Sequence, residues 1–302
     1  TGPLHDDPSC HATGCDSEVH TAPTDNVNKV LLVEPESRVL LACGSVLQGA
    51  CTKYRLGNIS DKAEFVARSV AANNEEASTY AFIGSTKYSS WERSKALYVG
   101  TTFTNYGEYR HDVPAIASRN LITLDIAEYS FSRQSLVQID VKYRDNFLVQ
   151  YVYGFNVSDY AYFVIIQKES YLPGQEEMGY VTRLARVCIN DDNYNSYTEV
   201  TVECSVLKRS GENHKYNLVQ DAKIAFAGAN LASELGIKAD DPVLIGIFSP
   251  SQGITNEPVS RSAVCAFSMA EIESKFDENI HRCFNGSAKS RNMGYVSGMI
   301  SD

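Results

Sequence analysis

Cys10-His11-Ala-Thr-Gly-Cys15, with His20 five residues further on, is the grouping in this chain most able to hold a metal ion. A structural zinc site wants four ligands at tight spacings, such as C-x2-C paired with H-x3-H. Here four residues separate the two cysteines, and the surrounding Pro, Gly and Asp suit a loop closed by a disulfide. Asp191-Asp-Asn-Tyr-Asn195 offers side-chain oxygens at 191, 193 and 195, as a calcium loop begins. Such a loop then needs Gly at its sixth position and Glu at its twelfth. This chain has Ser196 and Val202 there, so the segment reads as a polar turn. Nucleophilic catalysis finds no motif: in Gly294-Tyr-Val-Ser297-Gly298 the serine stands one place too late for a nucleophile elbow. His5, His11, His20, His111, His214 and His281 fall in polar stretches, without H-E-x-x-H spacing, and there is no phosphate-cradling loop. The acidic pairs Asp240-Asp241 and Glu75-Glu76 read as solvated charge at turns. No catalytic, metal or cofactor-binding residue is assigned, and no cofactor.

What remains is the chemistry of cysteine, asparagine and tyrosine. Eight cysteines stand at 10, 15, 43, 51, 188, 204, 265 and 283, the first four as two close pairs. They are either disulfides of a secreted protein or a metal site of a cytosolic one. Three N-x-[ST] sequons, at Asn58, Asn156 and Asn285, favour the extracellular reading and mark glycosylation candidates. Asn156 is the most favourable of the three, because Asn156–Asp159 reads as a hairpin tip. Tyrosine is abundant, 18 against 12 Phe and a single Trp. A tyrosine ring packs while its hydroxyl stays wet, which suits an interaction surface and an ordinary exposed sheet face equally.

Strands must position these groups. Lys29–Val33 and Arg38–Cys43 flank a charged turn with Pro and read as a hairpin. Val137, Ile139, Val141 and Tyr143 alternate with polar residues, as in a half-buried strand. Phe147–Phe155 and Tyr160–Gln167 form a second hairpin. Further strands are expected at Thr79–Gly84, Ala96–Phe103, Tyr180–Ile189, Tyr197–Leu207, Tyr216–Ala227, Val243–Ser249 and Ala263–Phe267. Ser268-Met-Ala-Glu271 is a capping box that predicts a helix over 269–280, and Leu231–Leu235 makes one short turn. About thirteen strands without βαβ alternation make an all-β chain, and four strands per blade would give roughly three to five propeller blades. Sandwich, barrel and propeller stay open on pattern alone.

Composition removes whole classes of function. The 302 residues carry 27 basic and 37 acidic side chains, a net charge of −10, which argues against a nucleic-acid binder. No apolar run reaches the ~18 residues needed to span a bilayer, so no membrane contact is expected from this portion. The first residue is Thr and no signal peptide is visible, so the chain reads as a piece of a longer one.

Local geometry excludes some cysteine pairings. If strands 180–189 and 197–207 turn near Asn193, Cys188 faces about Thr198 and Cys204 faces about Arg183. That separates the two sulfurs by roughly 20 Å, beyond disulfide reach. A helix of about twelve residues keeps Cys265 from Cys283. Short loops favour Cys10–Cys15 and Cys43–Cys51, and Cys204–Cys265 is one long-range bridge that these exclusions permit.

Several segments resemble a known family. Thr24-Asp-Asn-Val-Asn-Lys-Val-Leu-Leu-Val33, Leu41-Ala-Cys-Gly-Ser-Val-Leu-Gln-Gly-Ala-Cys51, Leu97-Tyr-Val-Gly100, Tyr151-Val-Tyr-Gly-Phe155, Tyr180–Cys188, Asn195–Glu199 and Ser262–Phe267 are similar, in order, to a plexin sema domain. The C-G-S-x-x-Q-G-x-C block is the most specific of them. The resemblance implies a seven-bladed sema-type β-propeller, of which this chain is an interior portion. Residues 1–302 would run from an incomplete first blade through the middle blades, with the final blades and ring closure missing. It implies the extracellular part of a single-pass plasma-membrane receptor for semaphorins, acting in guidance signalling, with self-association of ectodomains as a second kind of contact. It also sends the positions matching Cys188 and Cys283 to cysteines beyond Asp302, leaving both unpaired here. Plexins meet semaphorins edge-on through loops, which points to Asn105–Asp112 and to Tyr109, Arg110, His111 and Asp112 as ligand contacts. The rival class is a secreted β-propeller enzyme with its active site at the central channel. Such an enzyme would gather His, Asp, Glu or Arg from several blades at the axis, and a receptor would not.

Overall fold

A computed structural model describes residues 3–87, 95–107, 109–110, 113–126, 128–130, 133–207, 211, 213–285 and 293–297. Strands β1 (Leu4–Asp6) and β2 (Ala22–Thr24) pair at the start of the chain. Strands β3 (Asn28–Glu34), β4 (Val39–Gly44), β5 (Cys51–Arg55) and β6 (Glu64–Val66) then form an antiparallel meander. The second sheet begins with β7 (Thr79–Ser85), β8 (Lys95–Thr101) and β9 (Ile116–Arg119). A side hairpin of β10 (Glu128–Ser130) and β11 (Arg133–Gln134) intervenes before its outer strand β12 (Leu136–Val137). The third contains β13 (Gln150–Val157), β14 (Tyr160–Lys168), β15 (Tyr180–Cys188) and β16 (Thr198–Thr201). After a hairpin of β17 (Cys204–Leu207) and β18 (Asn213–Tyr216), the fourth sheet contains β19 (Leu218–Phe226), β20 (Pro242–Ser249) and β21 (Ala263–Ser268). Helix α1 (Gly228–Leu235) follows β19 and helix α2 (Met269–Phe284) follows β21.

The first strands of the four sheets, β3, β7, β13 and β19, lie side by side in chain order. Sheets that share an inner edge and fan outward are blades of a propeller. Apolar residues on both faces of each sheet fill the spaces between blades. Phe82, Tyr98 and Phe163 pack between the second and third, and Tyr162, Leu184, Leu244 and Phe248 between the third and fourth. The Phe82 ring packs directly on the backbone of Gly154 in the next blade, where an added Cβ would sit 2.5 Å from the ring. Hydroxyls stitch the blade junctions. Thr102 Oγ1 donates to Val149 O at 2.6 Å and Thr182 Oγ1 to Asn217 O at 2.8 Å. Met269, Ile272 and Phe276 bury one stripe of α2. Beside it the Arg186 guanidinium lies 4.2 and 4.3 Å from the ring centroids of Tyr160 and Phe276 and pairs with Glu273.

Several strand expectations need correction. Residues 137–143 do not form one strand. Only β12 and a single bridge at Ile139 pair, because Asp140 starts a turn in which its carboxylate accepts the Lys142 amide at 3.0 Å. Val137 and Ile139 are buried while Val141 is exposed, so alternation fits a strand end as well as a strand. Residues 197–207 divide into β16 and β17, which belong to different sheets. The turn before β16 is wider than expected, with Asp191 accepting the amides of Asn193 and Ser196. Thr198 therefore faces Arg186 rather than Cys188, and Thr201 rather than Cys204 faces Arg183. Helix α2 extends to Phe284, past residue 280, and Ser268 stands at its N-cap without a side-chain hydrogen bond.

Candidate protein-interaction site

Antiparallel meanders send successive turns to alternate ends. The β4–β5, β8–β9, β14–β15 and β20–β21 connections share one end, and the β3–β4, β7–β8, β13–β14 and β19–β20 turns share the other. The first end carries a built loop cluster. The Cys43–Cys51 disulfide closes the β4–β5 connection, in which Leu47, Gln48 and Gly49 all have positive φ. That twist drives Gln48 inward. Its Nε2 donates to Pro8 O at 2.9 Å, and its Oε1 accepts Asn73 Nδ2 at 2.9 Å. Asn73 also donates to Tyr106 O and accepts the Thr104 hydroxyl, which fixes the β8–β9 connection over the network.

Arg110 closes the cluster from below. It is 1% exposed, and its Nη1 donates to Gln48 O at 3.2 Å and Ala71 O at 3.1 Å, while Nε and Nη2 make no hydrogen bond. Burial, with Arg119 adding repulsion, pushes its pKa down to about 10. The N-terminal loop, closed by Cys10–Cys15, seals the side: His11 stacks on Tyr109 with ring centroids 3.3 Å apart. His11, Asn105 and Tyr106 are left exposed and Tyr109 half-buried on a frame of buried polar contacts. Rigid polar-aromatic surfaces of this kind suit protein recognition more than chemistry.

Of the expected contact residues, Tyr109 lies in this surface. Arg110 does not, because its side chain is buried and holds two carbonyls of the frame. His111 and Asp112 fall outside the described residues. Sequence reasoning missed Gln48, Asn73 and the stacking role of His11. The Q-G inside the specific cysteine block was the available signal.

The six cysteines 10, 15, 43, 51, 204 and 265 form three disulfides, Cys10–Cys15, Cys43–Cys51 and Cys204–Cys265. Cys188, half-buried, and Cys283, exposed, are free. Asp6 approaches the sulfurs of Cys10 and Cys15, but these are joined to each other and are not thiolates. Asn58 is exposed on a turn, and Asn285 is exposed just after α2. Asn156 is not at a hairpin tip. It lies inside β13, half-buried, and the turn comprises Ser158 and Asp159.

Two other places could have held chemistry. The four first strands carry no histidine or arginine, and their polar groups include Lys29, Tyr80, Tyr153 and Asp221. Lys29 donates to two backbone oxygens, those of Glu75 and Ala77, at 2.6 and 3.0 Å. Burial, then Tyr153 and Asp221, push the Tyr80 phenol up to about 12, away from any acid–base role near neutrality. A cavity of about 400 Å³ on the first sheet is lined by Leu31, Leu40, Tyr54, Ile59 and Phe65, with no titratable group suited to catalysis.

The Sema domain family model matches residues 219–299. Mouse Plexin-A4 is 31% identical over 306 residues, covering 95% of this chain, and human Plexin-A3 is 29% identical over 303 residues, also covering 95%. The chain spans 15% and 16% of the lengths of these relatives. Among solved structures, the plexin A4 full extracellular region superposes with a TM-score of 0.78 at 29% identity, over 94% of this chain and 32% of that one. Drosophila Semaphorin 2a shares the fold, with a TM-score of 0.52 at 17% identity over 84% of this chain and 39% of that one.

Proposed function

We propose that this chain, a stretch of plexin-type sema domain, is a ligand-binding module in the extracellular region of a single-pass plasma-membrane receptor for semaphorins, acting in guidance signalling. The observation that carries the reading is the match to the plexin A4 extracellular region over 94% of the chain. Three disulfides fit an oxidising compartment. In this reading residues 1–302 belong to one sema propeller, from an incomplete first blade through the middle blades, and other blades complete the ring. The partner is a semaphorin, with self-association of ectodomains as a second contact.

The module binds and does not catalyse. The first strands bring Glu34 and Asp221 but no histidine or arginine, and Glu34 is taken up by the amides of Glu36 and Ser37. This favours a binding module over an enzyme with an active site at the central channel. Tyr109, His111 and Asp112 are the proposed contact residues, and buried Arg110 holds Gln48 O and Ala71 O of the frame. The test is binding of the complete ectodomain to a panel of immobilised semaphorins, with Asp112→Lys as the probe of the loop. Weaker binding by a folded, secreted D112K protein supports the assignment, and unchanged binding moves the contact to another loop.

A further inference from the structure

We propose that Asn58 carries an N-linked glycan and that Asn156, despite its sequon, stays bare in the folded protein. The inference rests on the extracellular reading above. Asn58 is exposed on the turn between β5 and β6. Its Oδ1 accepts the Ser60 amide at 3.1 Å, so the asparagine and serine of the triplet already turn toward each other. Its Nδ2 donates to Asp61 Oδ1 at 2.7 Å, an exposed contact that water replaces at little cost. Transfer forms the bond from Nδ2 to the anomeric carbon of the first sugar. It breaks that carbon's bond to the diphosphate of a lipid-linked oligosaccharide donor and releases one Nδ2 proton.

Asn156 is committed elsewhere. Within β13 it pairs with Ala161, its Nδ2 donates to Tyr160 O at 2.7 Å, and its Oδ1 accepts the Ser85 amide at 3.1 Å. Ser85 ends β7, so this side chain ties the third sheet to the second. The sheets are close here: a Cβ added at Gly84 would lie 3.2 Å from Asn156 Cβ. A sugar on Nδ2 would have to fit beside the tie that joins the two blades. The linked amide keeps Oδ1 and one hydrogen, but its first sugar has to occupy the space where the two sheets approach. A chain glycosylated at Asn156 before folding therefore packs this junction poorly and does not reach the secreted pool.

The test is site occupancy in the complete ectodomain secreted from mammalian cells, read by peptide mass spectrometry after enzymatic deglycosylation in heavy-oxygen water. Asn58 should convert to labelled aspartate and Asn156 should not. Asn58→Gln should raise gel mobility by one glycan and leave the thermal midpoint unchanged. Asn156→Gln should leave mobility unchanged and lower the midpoint slightly, since the half-buried tie to Tyr160 O and the Ser85 amide is lost. Should N156Q fail to be secreted, Ser158→Ala removes the sequon without touching the tie and should change neither mobility nor midpoint. A glycan on Asn156 of folded protein, or a bare Asn58, overturns the proposal. Semaphorin binding measured on the same preparation separates the two claims: lost binding with this occupancy defeats the receptor reading alone.

Discussion

The imidazole of His11 lies on the ring of Tyr109 with centroids 3.3 Å apart and planes 30° apart. The stack makes the Cys10–Cys15 loop and the β8–β9 connection one surface, though the two segments are distant in sequence. Removing a half-exposed aromatic at an interface centre typically costs binding more than stability. Tyr109→Ala in the complete ectodomain should weaken semaphorin binding about tenfold, as roughly 1.4 kcal/mol would. His11→Ala should weaken it less, and the double variant should lose less than the sum, because the residues are in contact. Surface plasmon resonance on folded protein measures all three.

Arg110 should behave differently. Its guanidinium lies beneath the loops and holds Gln48 O and Ala71 O. Arg110→Ala leaves a cavity and two unmet carbonyls, so a stability loss of about 2–4 kcal/mol is expected in chemical denaturation. Arg110→Lys should recover only part of it, since the single nitrogen Nη1 holds both oxygens and an ammonium can also donate to two, but the shorter side chain leaves part of the guanidinium's buried space empty. Binding should fall together with stability, not ahead of it.

Thr182 marks the junction of the third and fourth blades. Its hydroxyl donates to Asn217 O at 2.8 Å and accepts the Val219 amide at 2.9 Å, fully buried. Thr182→Val keeps the shape and strands both backbone groups, for a loss of about 2–4 kcal/mol. Thr182→Ser should retain most of the stability, as a thermal melt of the two variants will show.

Tyr80 gives the fold an alkaline limit. Burial, then Tyr153 and Asp221, raise its phenol from 10.0 to about 12. The unfolded phenol ionises first, so the stability it contributes is intact below pH ~10 and lost as pH rises toward ~12. Tyr80→Phe should flatten the fall in stability across that window, measured by denaturant titration at several pH values. An unchanged slope would assign the alkaline loss to other buried phenols, such as Tyr151 and Tyr162, which burial also raises.

The long strands were legible because their patterns are local. The runs read at Thr79–Gly84, Tyr160–Gln167 and Val243–Ser249 are β-branched and aromatic and bounded by turns, and each folds as a strand one residue longer. Residues 137–143 were misread because buried Val137 and Ile139 satisfy the same alternation at a strand's frayed end. The break between β16 and β17 has no local signal. It exists because Cys204 pairs with Cys265 and β17 pairs with β18, both choices made in three dimensions. The site shows the same division. The loop and its tyrosine were reached through the family resemblance, but whether Arg110 faces a partner or the interior depends on Gln48 and Ala71, far away in sequence.

The most direct measurement is the affinity of the complete ectodomain containing this chain for a panel of immobilised semaphorins, wild type against Tyr109→Ala, with thermal melts confirming that both proteins are folded. The receptor reading predicts saturable binding to at least one semaphorin and about tenfold weaker binding by Y109A at an unchanged melting midpoint. A folded ectodomain that binds none of the panel would contradict it.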